Sequence, residues 1–161
     1  MDITIPITMG QMGLGLALGL GAVGSALGIG IAGQAAAGAW AKEAKAGKAL
    51  SFQYIILAGM PLSQTFYALI LALVFMQPVT FGAEGVESLV ATYPGALFSI
   101  GLAGGLIELF SAWYQGKIGA AACRALCEGE GKGFVFMIIA MGLVESVGLL
   151  GFIFLFILLP K

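Results

Sequence analysis

Four apolar stretches follow one another along this chain, at about Thr8–Ala41, Leu50–Gln77, Tyr93–Leu126 and Gly133–Leu159. A helix needs about 20 apolar residues to cross the hydrocarbon core of a bilayer, so each stretch can span with residues to spare. In lipid only helices and closed barrels satisfy their own backbone polar groups, and none of these stretches shows the period-two alternation of a barrel strand. The sequence therefore predicts an all-α membrane protein of four transmembrane helices. Only 9% of the residues are charged, against roughly 25% in a soluble domain, so the chain cannot cover itself with a polar surface.

Several function classes drop out at once. The net charge is −1 and no basic cluster extends beyond short loops, which leaves nucleic acid without an electrostatic foothold. Histidine is absent, so no histidine base or histidine-ligated metal is available. Cys123 and Cys127 are four apart on one predicted helix face and read as small packing residues. Met1-Asp2-Ile3-Thr4 has no basic region of the kind that opens a cleavable signal peptide.

Basic residues set the orientation. Lys42, Lys45 and Lys48 lie between spans one and two, and Arg124 and Lys132 flank the turn between spans three and four. The segment from Pro78 to Thr92 holds Glu84 and Glu87 but no Lys or Arg. By the positive-inside rule the loops 42–49 and 127–132 are cytoplasmic and both termini lie on the outer side, with Lys161 as the one exception.

The two halves match when shifted by 81 residues: Gln34 falls on Gln115, Gly38 on Gly119, Met60 on Met141, Gln64 on Glu145 and Phe75 on Phe156. This divides the chain into two helical hairpins of one orientation, residues 1–80 and 81–161, a parallel rather than an inverted repeat. Span one carries Gly13, Gly15, Gly19, Gly21, Gly24, Gly28, Gly30 and Gly33. Small residues of this kind let helices approach closely, and so many of them suit a helix wedged into the inner layer of a ring. Span three keeps Gly101, Gly104, Gly105, Gly116 and Gly119. Spans two and four carry the bulky aliphatic and aromatic residues that suit the lipid side.

An ionisable residue inside a span is costly and marks function by default. Span four has one, Glu145, 13 residues beyond Lys132, about 20 Å at 1.5 Å per residue. Gln115 and Gln64 come at matching depths in spans three and two, and Ser63 precedes Gln64. Hydroxyl, amide and carboxylate oxygens gathered at one depth are what a hard cation needs. Pro61 lacks an N–H, which frees a carbonyl one turn earlier and loosens the backbone beside this layer. Tyr67, three residues after Gln64 on the same face, places a hydroxyl within reach of Glu145. Polar side chains in spans also serve as interhelical glue, and Gln34 is read that way.

Two glycine-rich hairpins in tandem, Pro61-Leu62-Ser63-Gln64 in span two, Gln115-Gly116-Lys117 in span three and Val144-Glu145-Ser146 in span four resemble the rotor proteolipid of V-type (and archaeal-type) rotary ATPases, over essentially the whole chain. The resemblance implies a homo-oligomeric ring, not catalytic by itself, that carries one cation per copy past a stator membrane subunit with two half-channels and a basic residue. It also implies a central-stalk subunit as partner and lipid around the ring. In that family the duplication leaves one carboxylate, here Glu145, with Gln64 at the lost one. The resemblance further implies the Met60 carbonyl as a ligand beside Ser63, Gln64, Gln115 and Glu145, with Tyr67 as a locking tyrosine behind them. Ser63-Gln64, Gln115 and Glu145-Ser146 follow the pattern of its sodium carriers, so Na+ is expected ahead of H+.

Glu108 departs from the family pattern. It lies seven residues before Gln115, two turns away on nearly the same face and about 10 Å nearer the outer side. Two readings stand: a protonated carboxyl that is hydrogen-bonded between helices or faces the ring interior, or a second acidic site that binds a cation or relays ions. Lys117 is expected to snorkel inward rather than bind the ion. Among rival functions, a small four-span cation or drug exporter carries its acid in the first span, where this chain has none. A structural tetraspan would need no polar layer shared by Gln64, Gln115 and Glu145.

Overall fold

A computed structural model describes residues 4–81 and 87–161. Glu84 lies outside the described residues. Span one is helix α1 (Thr4–Lys45). Span two is composite: α2 (Gln53–Gly59), a 3₁₀ turn (Met60–Leu62), α3 (Ser63–Leu69), a π-helical stretch (Ile70–Met76) and α4 (Gln77–Phe81). A short α5 (Glu87–Thr92) leads into span three, α6 (Pro94–Glu128), and span four is α7 (Phe134–Ile157). The described residues contain four helices long and apolar enough to cross a membrane, Ile7–Lys45, Gln53–Phe81, Pro94–Glu128 and Phe134–Ile157.

These bounds differ from the apolar runs chiefly at the ends of spans one and two. Helix α1 continues past Ala41 because its last polar turn is anchored: Glu43 Oε2 accepts the Ser51 N–H at 2.9 Å and Glu43 Oε1 accepts the Tyr54 hydroxyl at 2.7 Å. Span two does not stop before Pro78 but runs to Phe81. The π turns give Gln77 N–H to Ala72 O, five residues back. Pro78, with no N–H to give, follows directly after this widened stretch.

Helices α1 and α6 make the closest pair. A Cβ on Gly13, Gly28, Gly101 or Gly116 would overlap backbone atoms of the opposite helix, so backbone packs on backbone along most of their length. The other face of α1 holds Gly15, Gly19, Gly30 and Gly33, which meet nothing within 4 Å. Helix α7 turns Phe136, Leu143, Val147 and Phe154 outward. The interior splits into two apolar clusters. One gathers Leu71, Ala72, Met76, Leu97 and Ile100, the other Tyr54, Leu57, Cys123, Leu126 and Met141. Both loops with basic residues lie at one end, joined by the Lys48 Nζ–Glu130 Oε1 ion pair at 2.7 Å. Glu130 sits there with φ 53° between Gly131 and the end of α6, a conformation normally left to glycine.

Candidate functional site

The polar residues lie between the two apolar clusters, and the backbone of span two opens to present them. Pro61 cannot donate to the carbonyl of Leu57. Ser25 of α1 then enters the next rung: its hydroxyl donates to Pro61 O at 2.6 Å and accepts the Thr65 N–H at 3.2 Å. Pro61 O and Thr65 N–H are i and i+4 partners in an ordinary helix, so the serine oxygen stands inside that hydrogen bond. A side chain inserted into the helical ladder is one of the known causes of a kink. The 3₁₀ turn over Met60–Leu62 is the local result.

That distortion groups three oxygens. Ser63 Oγ lies 3.0 Å from Met60 O and 3.2 Å from Gln64 Oε1. Gln64 is fully buried, and its Nε2 donates to Ser111 Oγ at 3.1 Å. Ser111 in turn donates to Val144 O at 3.0 Å, which ties spans two, three and four together one residue before Glu145. Glu145 is half-buried on α7. Its Oε1 accepts the Tyr67 hydroxyl at 3.1 Å, and its Oε2 accepts Gln115 Nε2 at 3.3 Å. The same Gln115 amide also donates to Met141 O at 3.3 Å, while Gln115 Oε1 is buried without a hydrogen-bond partner. The Tyr67 ring stacks on Phe152 with centroids 6.2 Å apart, which holds the phenol in place.

The ligands expected from the sequence and the resemblance thus each meet another residue of the set: Met60, Ser63 and Gln64 on one side, Gln115 and Glu145 on the other, with the expected locking Tyr67 on Glu145. Ser111 and Ser25 link the two sides to the frame, and sequence reasoning missed both. For Ser111 a signal existed, since Glu108, Ser111 and Gln115 fall at three- and four-residue spacings along one face of α6. For Ser25 the signal was a lone hydroxyl in a glycine-rich run.

Three further residues are placed away from this cluster or without partners in it. Gln34 is exposed on α1 and makes no hydrogen bond among the described residues, because α6 packs on another face of that helix. Lys117 does not reach away from the site along α6. Its Nζ lies 4.5 Å from the Trp113 ring centre and 4.8 Å from that of Tyr114, one turn back, the direction in which helical side chains tilt. Glu108 faces no surface of the protomer, being 1% exposed, and neither of its oxygens has a hydrogen-bond partner. It is enclosed between α1, α6 and α7 rather than turned to an open face of the protomer.

No curated protein matches the sequence significantly. A family model for the C subunit of ATP synthase matches the chain twice, over residues 12–75 and again over 98–158. Each match takes in one apolar pair of spans, and the second includes Gln115 and Glu145. Together they cover most of the sequence, and the chain belongs to the ATP synthase C-subunit family, the ion-carrying membrane proteolipids of rotary ATPase rings.

Proposed function

We propose that this chain is the rotor-ring proteolipid of a V-type (or archaeal-type) rotary ATPase and that each copy carries one Na+ on Glu145. The observation that carries the sodium reading is the Gln115 amide oxygen, buried and unpartnered on the same side chain that donates to Glu145 Oε2. A buried acceptor without a partner is costly, and a cation on the carboxylate supplies the partner. Met60 O, Ser63 Oγ and Gln64 Oε1, clustered within 3.2 Å of the serine oxygen, provide further oxygens of the kind hard cations take. One carboxylate among neutral oxygens balances one monovalent charge. A proton needs only the carboxyl, which leaves the rest of this set without a task.

The mechanism follows from charge. An ionised Glu145 is expensive to move through lipid, whereas the cation-loaded site is neutral and passes. Tyr67 and Gln115 each give a donor to one oxygen of Glu145, so the carboxylate is oriented whether it is full or empty. A basic residue on a stator subunit with two offset half-channels offers the competing countercharge and releases the ion. Rotation then carries the copy round to be refilled.

In this reading the chain is two hairpins, 1–80 and 81–161, the first having Gln64 where the second has Glu145. Helices α1 and α6 form the inner layer of a ring of copies. The open glycine row Gly15, Gly19, Gly30 and Gly33 receives the neighbouring copy. Loops 42–49 and 127–132 face the cytoplasm and a central-stalk subunit, and both termini lie outside. Nucleotide chemistry belongs to partner subunits.

Carbodiimide labelling of Glu145, at fixed pH and ionic strength, tests this. The reagent attacks a protonated carboxyl, so Na+ should protect Glu145 where K+ does not. Labelling that follows pH alone and ignores Na+ assigns a proton carrier, with Ser63, Gln64 and Gln115 as its hydrogen-bonding frame.

A further inference from the structure

We propose that Ser25, on α1 and outside the set of ion ligands, is the positioning residue that makes this site take Na+ rather than a proton. Its hydroxyl holds span two open, and the opened backbone is what groups the oxygens of Met60, Ser63 and Gln64. The proposal rests on the sodium reading of Glu145 and names what sets that preference.

Pro61 explains only part of the opening. It removes the N–H that would reach Leu57 O, but Pro61 O and the Thr65 N–H are both present and would pair directly in a regular helix. Ser25 stands between them, donating to Pro61 O at 2.6 Å and accepting the Thr65 N–H at 3.2 Å. It is 2% exposed, so the wedge is a side chain of the protein and not bulk water. The Thr65 hydroxyl adds a second tie, donating to Gly21 O of α1 at 3.5 Å. Gly21 and Gly28 lie four residues before and three after Ser25, on the same face of α1. A Cβ on Gly28 would lie 2.8 Å from Pro61 Cβ, and one on Gly21 would overlap Ala68 Cβ. These two glycines bring α1 close enough for so short a side chain to enter span two.

The consequence falls on the oxygens. Met60 O accepts the Ser63 N–H, three residues on. Ser63 Oγ, 3.0 Å from Met60 O and 3.2 Å from Gln64 Oε1, has one proton for two acceptors. One of the two is always without it, whereas a hard cation engages all three oxygens together. With the Pro61–Thr65 rung closed, span two tightens toward regular α-helix, where Met60 O pairs with the Gln64 N–H along the axis. Glu145 then keeps its bonds from Tyr67 and Gln115, which is all that a proton carrier needs.

The second hairpin lacks the wedge. Shifted by 81 residues, Ser25 falls on Leu106, Pro61 on Gly142 and Thr65 on Ser146. Leu106 is exposed, Ser146 donates to Gly142 O of its own helix at 2.9 Å, and α7 is α-helical from Phe134 to Ile157. That half presents a carboxylate on a regular helix. The half with Gln64 in its place has the opened backbone, so the wedge goes with oxygen donation and not with the hairpin fold as such.

Carbodiimide labelling of Glu145 in the intact purified ring, read against Na+ at fixed pH and against pH without Na+, tests the assignment. In Ser25→Ala the sodium concentration for half-protection should rise about tenfold, as for the loss of one polar contact to the ion. The pH midpoint without sodium should stay where it is, because the titratable groups beside Glu145, Tyr67 of span two and Glu108 of α6, are untouched. Ser25→Thr, which keeps the hydroxyl, should keep the natural sodium dependence. A Ser25→Ala ring half-protected within about threefold of the natural sodium concentration overturns the proposal and leaves the sodium reading standing. So does a shift of both midpoints together, which marks a general distortion, or a Ser25→Thr ring that behaves like Ser25→Ala. A natural ring whose labelling ignores Na+ overturns the sodium reading and this proposal with it. Should Ser25→Ala fail to assemble, Ser25→Cys, which keeps a side chain in place and weakens both hydrogen bonds, is read by the same assay.

Discussion

Replacing Gln115 by Leu separates a ligand from a scaffold. The two side chains are close in size, and Gln115 is fully buried, so the change leaves little cavity and acts through its polar atoms. Two interactions go. The N–H bond to Glu145 Oε2 at 3.3 Å supports the carboxylate both empty and loaded, so its loss largely cancels in the binding equilibrium. The amide oxygen has no partner in the protein, so any contact it makes with a cation exists only in the loaded state and does not cancel. A polar contact to a charged group is worth about 1.5–3 kcal/mol, which at about 1.4 kcal/mol per factor of ten weakens Na+ binding by about 10- to 150-fold. The assay is the Na+ concentration that half-protects Glu145 from carbodiimide at fixed pH. A rise of less than about threefold, with the ring intact, would refute the assignment of the Gln115 oxygen as a ligand. Loss of a neutral bond to a protonated acid, about 0.5–1.5 kcal/mol, would instead appear as a modest change in the pH dependence of labelling without sodium.

Tyr67→Phe keeps the stack on Phe152 and removes the hydroxyl that donates to Glu145 Oε1 at 3.1 Å. Sodium should dissociate faster, by about tenfold for a bond of about 1.4 kcal/mol, and an unchanged off-rate in tracer exchange would discount the tyrosine as a lock. Gly116→Ala places a methyl into the backbone of α1 at Gly28, so the ring should be lost from detergent extracts run on native gels, whereas Gly142→Ala, in open space, should assemble normally. At the loop end, the hydrogen bond and then the charge of Lys48 hold Glu130 below the usual carboxylate range, and Glu130 in the same way raises Lys48. The pair is therefore intact from above the ordinary carboxylate range up to the ordinary lysine range. It loosens as pH falls through the lowered value of Glu130 or rises through the raised value of Lys48. Glu130→Gln should speed acylation of Lys48 at mildly alkaline pH, and an equal rate in both proteins would mean that the bridge does not persist in solution.

The membrane architecture was legible in the residues because it depends on counting. Four apolar runs, Lys and Arg concentrated around two loops with Lys117 and Lys161 apart from them, and one carboxylate in span four survive any folding of the chain. The layer of Gln64, Gln115 and Glu145 was visible for the same reason, since a polar side chain stands out against an apolar span and its depth follows from the helical rise. Only the tertiary structure decided which faces meet. Serines are ordinary in membrane helices, and the spacing of Ser111 from Glu108 and Gln115 or the lone hydroxyl of Ser25 among glycines does not say which partners they meet; packing made Ser111 join three spans and put Ser25 between Pro61 O and Thr65 N–H. The glycines of α1 form one dense series in sequence, and packing sorted them into a row against α6 and a row left open. Glu108 is the sharpest instance. Its acidity could be read directly, but whether it faced lipid, a ring interior or the inside of the protomer depended on the rotation of α6 against α1 and α7. Burial is a property of neighbours, and the neighbours of Glu108, Gly21 and Gly148, lie 87 and 40 residues away along the chain.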